Sequence, residues 1–169
     1  MIQSIKRIIK LMISFYYSWL VKRKVKSVGS RLKVNKKSLV TQNTHLGVNV
    51  NFNGLKITGL GEVRIGDNFH SGEDCIFITE FHNYDNGNAI PYDNTSIIKK
   101  ITIDDNVWIG NRVIILGGIT IGEGAIIQAG SVVVSDIPPY AIAGGHPAKV
   151  FKYRDIDHYN KLKKMKKFH

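Results

Sequence analysis

The sequence predicts an all-β fold, a parallel β-helix of six-residue repeats with a basic helix at each end. Apolar residues recur every six positions through the middle of the chain, the repeat is interrupted once, and both ends are basic. A period of six fits neither an α-helix nor an alternating strand. We therefore divide the chain into a basic amphipathic N-terminal segment (1–40), a β-helix domain (41–148) and a basic C-terminal helix and tail (149–169).

The N-terminal segment is predicted to begin with an amphipathic helix. Its apolar positions follow helical spacing: Ile2, Ile5, Ile9, Met12, Ile13, Tyr16 and Leu20. The longest uncharged stretch, 11–21, is shorter than the ~20 residues that a spanning helix needs. Two interpretations stay open. The apolar face packs on the protein or a neighbouring subunit, or it lies on an anionic membrane with Phe15 and Trp19 as anchors.

The repeat of the middle region forms two columns of residues. The first column, spaced by six, is Ile103, Ile109, Ile115, Ile121, Ile127 and Val133. The second column, four residues later, is Val107, Val113, Ile119, Ala125 and Ser131. We expect both columns to point inward, with three hexads closing one triangular coil and coils stacking about 4.8 Å apart. Cys75 falls in the second column upstream, which predicts a core residue and not a nucleophile.

The period fails between Phe77 and Ile103, which are 26 residues apart and so not separated by a multiple of six. Residues 82–100 must therefore leave the coil as a loop, and long excursions from a rigid scaffold usually carry function. The loop begins at His82. A neutral imidazole, with an ordinary pKa of about 6.5, is suited to act as a general base near neutral pH.

The charge distribution separates the ends of the chain from its middle. The net charge is +11, yet residues 1–37 hold eleven Lys and Arg and no acid, while residues 38–148 hold five bases and eleven acids. Basic ends suit nucleic acid or an anionic membrane, but no nucleic-acid-binding motif is present, so we expect no nucleic-acid partner. The single cysteine excludes an intrachain disulfide and favours a cytoplasmic location, with the N-terminal helix on the inner face of the cell membrane in one interpretation.

Several motifs together resemble the hexapeptide-repeat acyltransferases. They are the repeat itself, VWIG at 107–110, SVVVSDIPPYAIAGGHPAK at 131–149 and the looped-out histidine. The resemblance covers about residues 45–152 and is closest to the galactoside and maltose O-acetyltransferases and the xenobiotic and polysaccharide branch. It implies a left-handed β-helix, a homotrimer, and acetyl-CoA as co-substrate in a groove between two subunits, with no metal required.

The resemblance also assigns roles to particular residues. His82 matches the general base, and Asp85 matches the acid of a His-x-x-Asp pattern that Pro91 and Tyr92 follow. Residues matched to coenzyme A binding are Trp108, Gly110, Asn111, Ala129, Ser135, Lys149 and Lys152. Residues matched to binding of the acceptor are Asn51, Asn83 and Tyr92. Where the galactoside group has a Thr-Lys pair, this chain has Val134 and Ser135, so one phosphate contact is lost or moves to Arg154.

These matches imply an acetyl-CoA-dependent O-acetyltransferase that acts on a sugar in surface polysaccharide biosynthesis, by direct transfer assisted by the histidine. The backbone N–H of Gly110 or Asn111 would stabilise the oxyanion. N-acetylation of an amino sugar or sugar nucleotide is the alternative, because Glu80, Asp85 and Asp93 accompany the histidine. A γ-type carbonic anhydrase ranks lower, since it needs three imidazoles on one zinc and no two histidines here lie five residues apart. A non-catalytic scaffold is the remaining alternative.

Overall fold

The computed structural model describes residues 2–169 as a parallel β-solenoid of about six turns with a helix at each end. In chain order the elements are α1 (Ile2–Lys24), β1 (Ser27–Val28), β2 (Lys33–Lys36), β3 (Thr44–Leu46), β4 (Asn51–Asn53), β5 (Lys56–Thr58), β6 (Val63–Ile65), β7 (His70–Glu73), β8 (Ile76–Ile78), β9 (Glu80–His82), β10 (Ser96–Ile98), β11 (Ile101–Ile103), β12 (Trp108–Ile109), β13 (Ile114–Leu116), β14 (Ile119–Ile121), β15 (Ile126–Ile127), β16 (Val132–Val133), β17 (Ala141–Gly145), β18 (Ala148–Tyr153) and α2 (Ile156–Lys164). The predicted parallel β-helix with two terminal helices is confirmed.

Three sheets form the sides of the solenoid. Sheet A has the order β1-β3-β6-β11-β14, sheet B the order β18-β17-β15-β12-β7-β4-β2, and sheet C the order β16-β13-β8-β5. Apart from β18, which pairs antiparallel with β17, each strand of these sheets pairs in parallel with its equivalent one coil away, which is why strands distant in sequence are neighbours. The solenoid already includes β1 and β2, so it begins near residue 27 and not at the predicted boundary of 41. The basic composition of these first strands hides their short apolar pattern.

The two columns of the repeat form the core, as predicted. All eleven of their residues are at most 4% exposed. Upstream, Phe77 and Cys75 are fully buried, and burial raises the pKa of the Cys75 thiol. Cys75 is therefore a packing residue. Phe81, six residues after Cys75 and therefore in phase with the second column, is only partly buried because it lies on the excursion.

Stacked asparagines hold the corner that follows sheet A. Asn49, Asn68 and Asn106 all have positive φ, a conformation that Asn tolerates better than most residues. The side-chain amide of Asn49 donates to Asn68 Oδ1 at 2.9 Å, and that of Asn68 donates to Asn106 Oδ1 at 2.9 Å. Glu123 continues the column one coil later and accepts from the Tyr159 hydroxyl at 2.9 Å. The same corner thus links successive coils and fixes α2 on the solenoid.

The excursion is a β-hairpin. β9 pairs antiparallel with β10, with His82 opposite Ser96. The N–H of Lys99 donates to the carbonyl of Thr79 at 2.9 Å and closes the base of the hairpin. The chain therefore leaves the solenoid at Glu80, two residues before the predicted start at His82, because the antiparallel pairing extends down to the coil.

α1 packs on the first coil through a narrow face that contains two serines. Ser14, Ser18 and Val21 are buried. The Ser18 hydroxyl oxygen accepts the N–H of Val34 at 2.9 Å, and the Ser14 hydroxyl donates to Asn35 Oδ1 at 3.3 Å. Since β2 is the edge strand of sheet B, α1 satisfies a backbone donor that the sheet leaves unpaired.

Replacement of Ser18 by alanine should lower the free energy of unfolding by about 1–3 kcal/mol, because the fully buried N–H of Val34 loses its acceptor. Alanine has a higher helix propensity than serine, so helix propensity alone would raise the free energy of unfolding. Ser4→Ala, on an exposed part of the same helix, is the matched control and should cause no loss. Chemical denaturation at equal protein concentration measures both variants, and equal stability would show that the hydrogen bond contributes nothing.

Candidate active site

His82 stands at the end of β9 with its ring stacked on that of Tyr92. The ring centroids are 3.7 Å apart and the planes differ by 11°. His82 is exposed, and the stack covers one face of the imidazole while its edges, which carry both nitrogens, stay uncovered by Tyr92. The hairpin thus presents an oriented and accessible imidazole.

Hydrogen bonds within the hairpin loop hold this arrangement in place. The Asp93 carboxylate accepts from the N–H groups of Asn88 and Thr95, each at 2.8 Å, and from the Thr95 hydroxyl. The Thr95 hydroxyl, followed by these N–H groups, lowers the pKa of Asp93. The Asn83 amide donates to Thr95 Oγ1 at 3.0 Å and accepts from the N–H of Asn86 at 3.1 Å. Both ends of the Asn83 amide are therefore used inside the loop, which favours a structural role for it.

Asp85, the predicted acidic partner of His82, does not contact it in the described residues. No hydrogen bond or ion pair joins the two side chains there, and Asp85 is exposed. Glu80, another acid of the hairpin, accepts the N–H of Leu60 at 3.1 Å through Oε2. The group that contacts the imidazole within one chain is Tyr92, not a carboxylate.

Three residues matched to coenzyme A binding meet at the corner that follows sheet B. Gly110 packs so closely on Ala129 that a Cβ at position 110 would lie 2.5 Å from the Ala129 nitrogen. One coil earlier, a Cβ at Gly72 would lie 2.5 Å from the backbone nitrogen of Asn111. Only glycine fits at these two positions, so the backbones of successive coils come into direct contact.

Asn111 presents the candidate donor for an oxyanion at this corner. The Gly110 N–H donates to the carbonyl of Ile127 at 2.8 Å and is committed to the ladder. The Asn111 side chain accepts the N–H of Glu73 at 2.8 Å, and its carbonyl accepts the N–H of Gly130 at 2.8 Å. Within residues 2–169 the N–H of Asn111 itself donates to no other group. Of the two predicted oxyanion donors, Gly110 and Asn111, it is therefore Asn111 whose N–H is not already hydrogen-bonded within the described residues.

Three further predicted residues share one outward row across sheet B. From one strand to the next the row runs through Asn51, His70, Trp108, Ile126, Ile142 and Lys152. Trp108 is 55% exposed and lines a cleft of about 460 Å³ between this row and α2. Lys149 is exposed on β18, and Ser135 is exposed just after β16. Asn51 accepts from the amide of Asn35 at 3.1 Å.

His70 belongs to the same cleft, although the sequence analysis gave it no role. Its ring centroid lies 5.4 Å from that of His169, and burial, with a smaller contribution from His169, lowers its pKa. The hexad register could have identified His70 as a residue near Trp108. Ser71 and Ile109 are equivalent inward residues, so the residues that precede them, His70 and Trp108, must be adjacent.

His82 and Asn111 lie beyond opposite ends of the strands of sheet C. Asn111 precedes the start of β13, whereas the hairpin follows the end of β8. No hydrogen bond, ion pair or ring contact of the described chain joins the hairpin to the corner of Asn111. A single chain therefore presents the base and the donor separately.

Metal-ligating side chains do not cluster in residues 2–169, where no group of three or more His, Cys, Asp or Glu could hold an ion.

Comparison with known proteins places the repeat in one family. Residues 100–135 match the family described as bacterial transferase hexapeptide (six repeats). The galactoside O-acetyltransferase of Escherichia coli (strain K12) is 37% identical over 124 residues, which are 70% of this chain and 60% of that protein. A relative from Schizosaccharomyces pombe is 63% identical over 49 residues, but the match spans only 24% of its length.

Two solved structures extend the similarity over most of the fold. A galactoside acetyltransferase in complex with coenzyme A is 30% identical with a TM-score of 0.73, over 90% of this chain and 83% of that one. A maltose O-acetyltransferase from Clostridium difficile 630 is 31% identical with a TM-score of 0.62, over 78% of this chain and 70% of that one. With the confirmed repeat, these matches show that the chain belongs to the hexapeptide-repeat acyltransferase family.

Proposed function

We propose that this protein transfers an acetyl group from acetyl-CoA to a hydroxyl group of a sugar, with His82 as the general base. The observation that carries the proposal is the accessible imidazole held on Tyr92 at the end of β9. It lies on a chain similar over 90% of its length to a galactoside acetyltransferase in complex with coenzyme A.

The imidazole can perform the proton transfer that the reaction requires. As the sugar oxygen attacks the thioester carbonyl, a neutral His82 takes the hydroxyl proton. The tetrahedral intermediate then collapses, the new C–O bond remains, the C–S bond breaks, and the protonated His82 gives its proton to the sulfur, so that coenzyme A leaves as the thiol. No covalent acyl-enzyme is needed, and the buried Cys75 is not available to form one. A positioned base contributes about 10²–10⁴ in rate.

The backbone N–H of Asn111 supplies the oxyanion donor in this mechanism. Its direction is fixed, since the side chain and carbonyl of Asn111 are hydrogen-bonded to neighbouring coils. A donor that needs no rearrangement during the reaction contributes about 10²–10³ in rate. Gly110, Ala129 and the outward Trp108 line the approach for coenzyme A, and Lys149 and Lys152 face its phosphates.

The proposed site requires two subunits of a homotrimer. His82 and Asn111 lie beyond opposite ends of the strands of sheet C. A three-fold rotation that sets one subunit's hairpin against the neighbour's Asn111 corner brings His82 of one subunit close to Asn111 of the next. Each of the three interfaces then holds one complete site, with coenzyme A in the groove between the subunits.

We propose a hydroxyl rather than an amine as the acceptor because the hairpin offers little to an ammonium group. Glu80 and Asp93 already accept backbone N–H groups, which leaves Asp85 as the remaining acid of the hairpin. The proposed setting is surface polysaccharide synthesis on the cytoplasmic side of the cell membrane. Assay of acetyl transfer to sugars with hydroxyl groups alone against matched amino sugars tests this choice, and turnover of amino sugars only would contradict it.

Replacement of His82 by alanine should reduce kcat by about 10²–10⁴ and leave the affinity for coenzyme A nearly unchanged, because the base touches the acceptor and not the cofactor. Steady-state kinetics and calorimetric binding of coenzyme A measure the two effects. His158→Ala, on the exposed surface of α2, is the control and should retain full activity. A His82 variant with more than about a tenth of the original rate would assign the base to another residue.

The double variant Lys149→Glu, Lys152→Glu should raise KM for acetyl-CoA more than KM for acetyl-dephospho-CoA. The reason is that the two lysines are proposed to pair with the 3′-phosphate of coenzyme A. Dephospho-CoA lacks this group, so with that donor there is no charge pair to lose. Lys161→Glu, Lys164→Glu makes the same charge change on α2 and should alter neither value. Equal increases for both donors would remove these two lysines from the phosphate site.

A further inference from the structure

α1 exposes a continuous band of large apolar side chains. Ten of its large apolar residues are at least 40% exposed, among them Met12 at 66% and Phe15 at 77%. We call the residues Ile5, Ile9, Met12, Tyr16 and Trp19 the apolar face of α1. A band of this kind is costly in water and marks a surface that another apolar phase covers.

The apolar face points away from the solenoid. With a turn of about 100° per residue, it lies about half a turn from Ser14 and Ser18, the residues that contact β2. On one side, Met12 and Trp19 border an open groove that Leu32 and Lys33 of the solenoid also line. All five residues of the apolar face stay at least 45% exposed, so α1 can stay docked on the first coil while this face contacts a second surface. Residues 3–13 are exposed throughout, and a helical segment of that length is marginal in water without such support.

Positive charge surrounds the apolar face and is not balanced by any acid. The segment 2–26 contains seven Lys and Arg, and the first acidic residue of the chain is Glu62. On the helix, Lys6 lies along one border of the apolar face and Lys22 lies along the other, while Lys10 lies further round, four residues before Ser14. The Arg23 guanidinium carbon lies 4.9 Å from the centroid of the Trp19 ring. An apolar band between basic borders is typical of a helix that lies in a membrane interface.

The charge pattern also selects between the candidate partners. A second copy of α1 would bring the same seven positive charges and no acid, so like charges would face each other. Insertion across a bilayer is not the alternative, since no helix within residues 2–169 is long and apolar enough for it. A surface of anionic lipid complements both the apolar face and its borders.

We propose that α1 is an interfacial helix that docks the protein on anionic lipid bilayers. The apolar face enters the boundary between headgroups and acyl chains, and the flanking lysines contact the lipid phosphates. In the homotrimer proposed above, three-fold symmetry sets all three helices at the same end, so their weak individual affinities combine. This surface is separate from the transfer reaction, and the docking does not depend on it.

Co-sedimentation of the full chain with vesicles tests the proposal. Binding should be strong to phosphatidylcholine vesicles that contain phosphatidylglycerol, weak to phosphatidylcholine alone, and should decrease as salt screens the lysines. Point variants are preferable to removal of α1, because removal would also uncover Val34 and the first coil. Failure of the intact protein to bind the anionic vesicles at low salt would overturn the proposal.

Two paired variants separate the contributions of charge and apolar contact. Lys6→Glu, Lys10→Glu should weaken partition at least about tenfold, and Met12→Ser, Tyr16→Ser should weaken it to a similar degree. Lys161→Glu, Lys164→Glu makes the same charge change on α2 and should cost less than about threefold. Equal losses from α1 and α2 charge variants would mean that net charge alone attracts the protein, which would overturn docking through α1.

A fluorescence measurement reports directly on the position of Trp19. In a Trp108→Phe background, Trp19 is the remaining tryptophan, and its emission should shift to shorter wavelength and be quenched by spin-labelled lipid when anionic vesicles are added. Unchanged emission would overturn the proposal. A change of oligomeric state in the Met12→Ser, Tyr16→Ser variant by light scattering, with vesicle binding intact, would instead assign the apolar face to a second copy of the chain.

Discussion

The register between successive coils is the constraint on which the structure depends. Each inward residue stacks on its equivalents, and the backbone N–H groups of the ladder donate to neighbouring coils, so a shift of one residue would turn the core outward. Close contacts such as Gly110 on Ala129 leave no room to adjust. The positions of the outward residues, including Trp108 and the proposed donor Asn111, follow directly from this register.

The period of six predicts the core between Ile103 and Val133, because the inward positions of each hexad admit only a narrow range of side chains. It predicts the excursion for the same reason, since a break in the period cannot be absorbed by a stacked coil. It does not predict β1 and β2, where a single inward Val34 lies among lysines. Nor does it predict the stack of His82 on Tyr92, which depends on the path of an irregular loop with no period.

In the proposed mechanism the departures from the repeat carry the function. The hairpin presents the imidazole beyond one end of the strands of sheet C, and a tight corner beyond their other end holds the N–H of Asn111, which donates to no other group of the described chain. The resemblance to acyltransferases indicated Asp85 as the partner of the base, but within the chain the loop carboxylates mainly accept backbone N–H groups. The terminal helices pack on the solenoid differently, because α2 is fixed to the corner column by Glu123 while the apolar face of α1 stays at least 45% exposed.

The central claim is that one active site is shared between two subunits, and complementation tests it most directly. His82→Ala lacks the base, and Asn111→Pro lacks the donor N–H, so each variant alone should be nearly inactive. After the two are unfolded together and refolded as mixed trimers, about a quarter of the sites should combine an intact His82 from one subunit with an intact Asn111 from its neighbour. Ala129→Trp, which blocks the same corner, should complement His82→Ala in the same way. Recovery of activity to about that fraction is the result that we expect, and mixed trimers as inactive as the two parents would contradict a shared site.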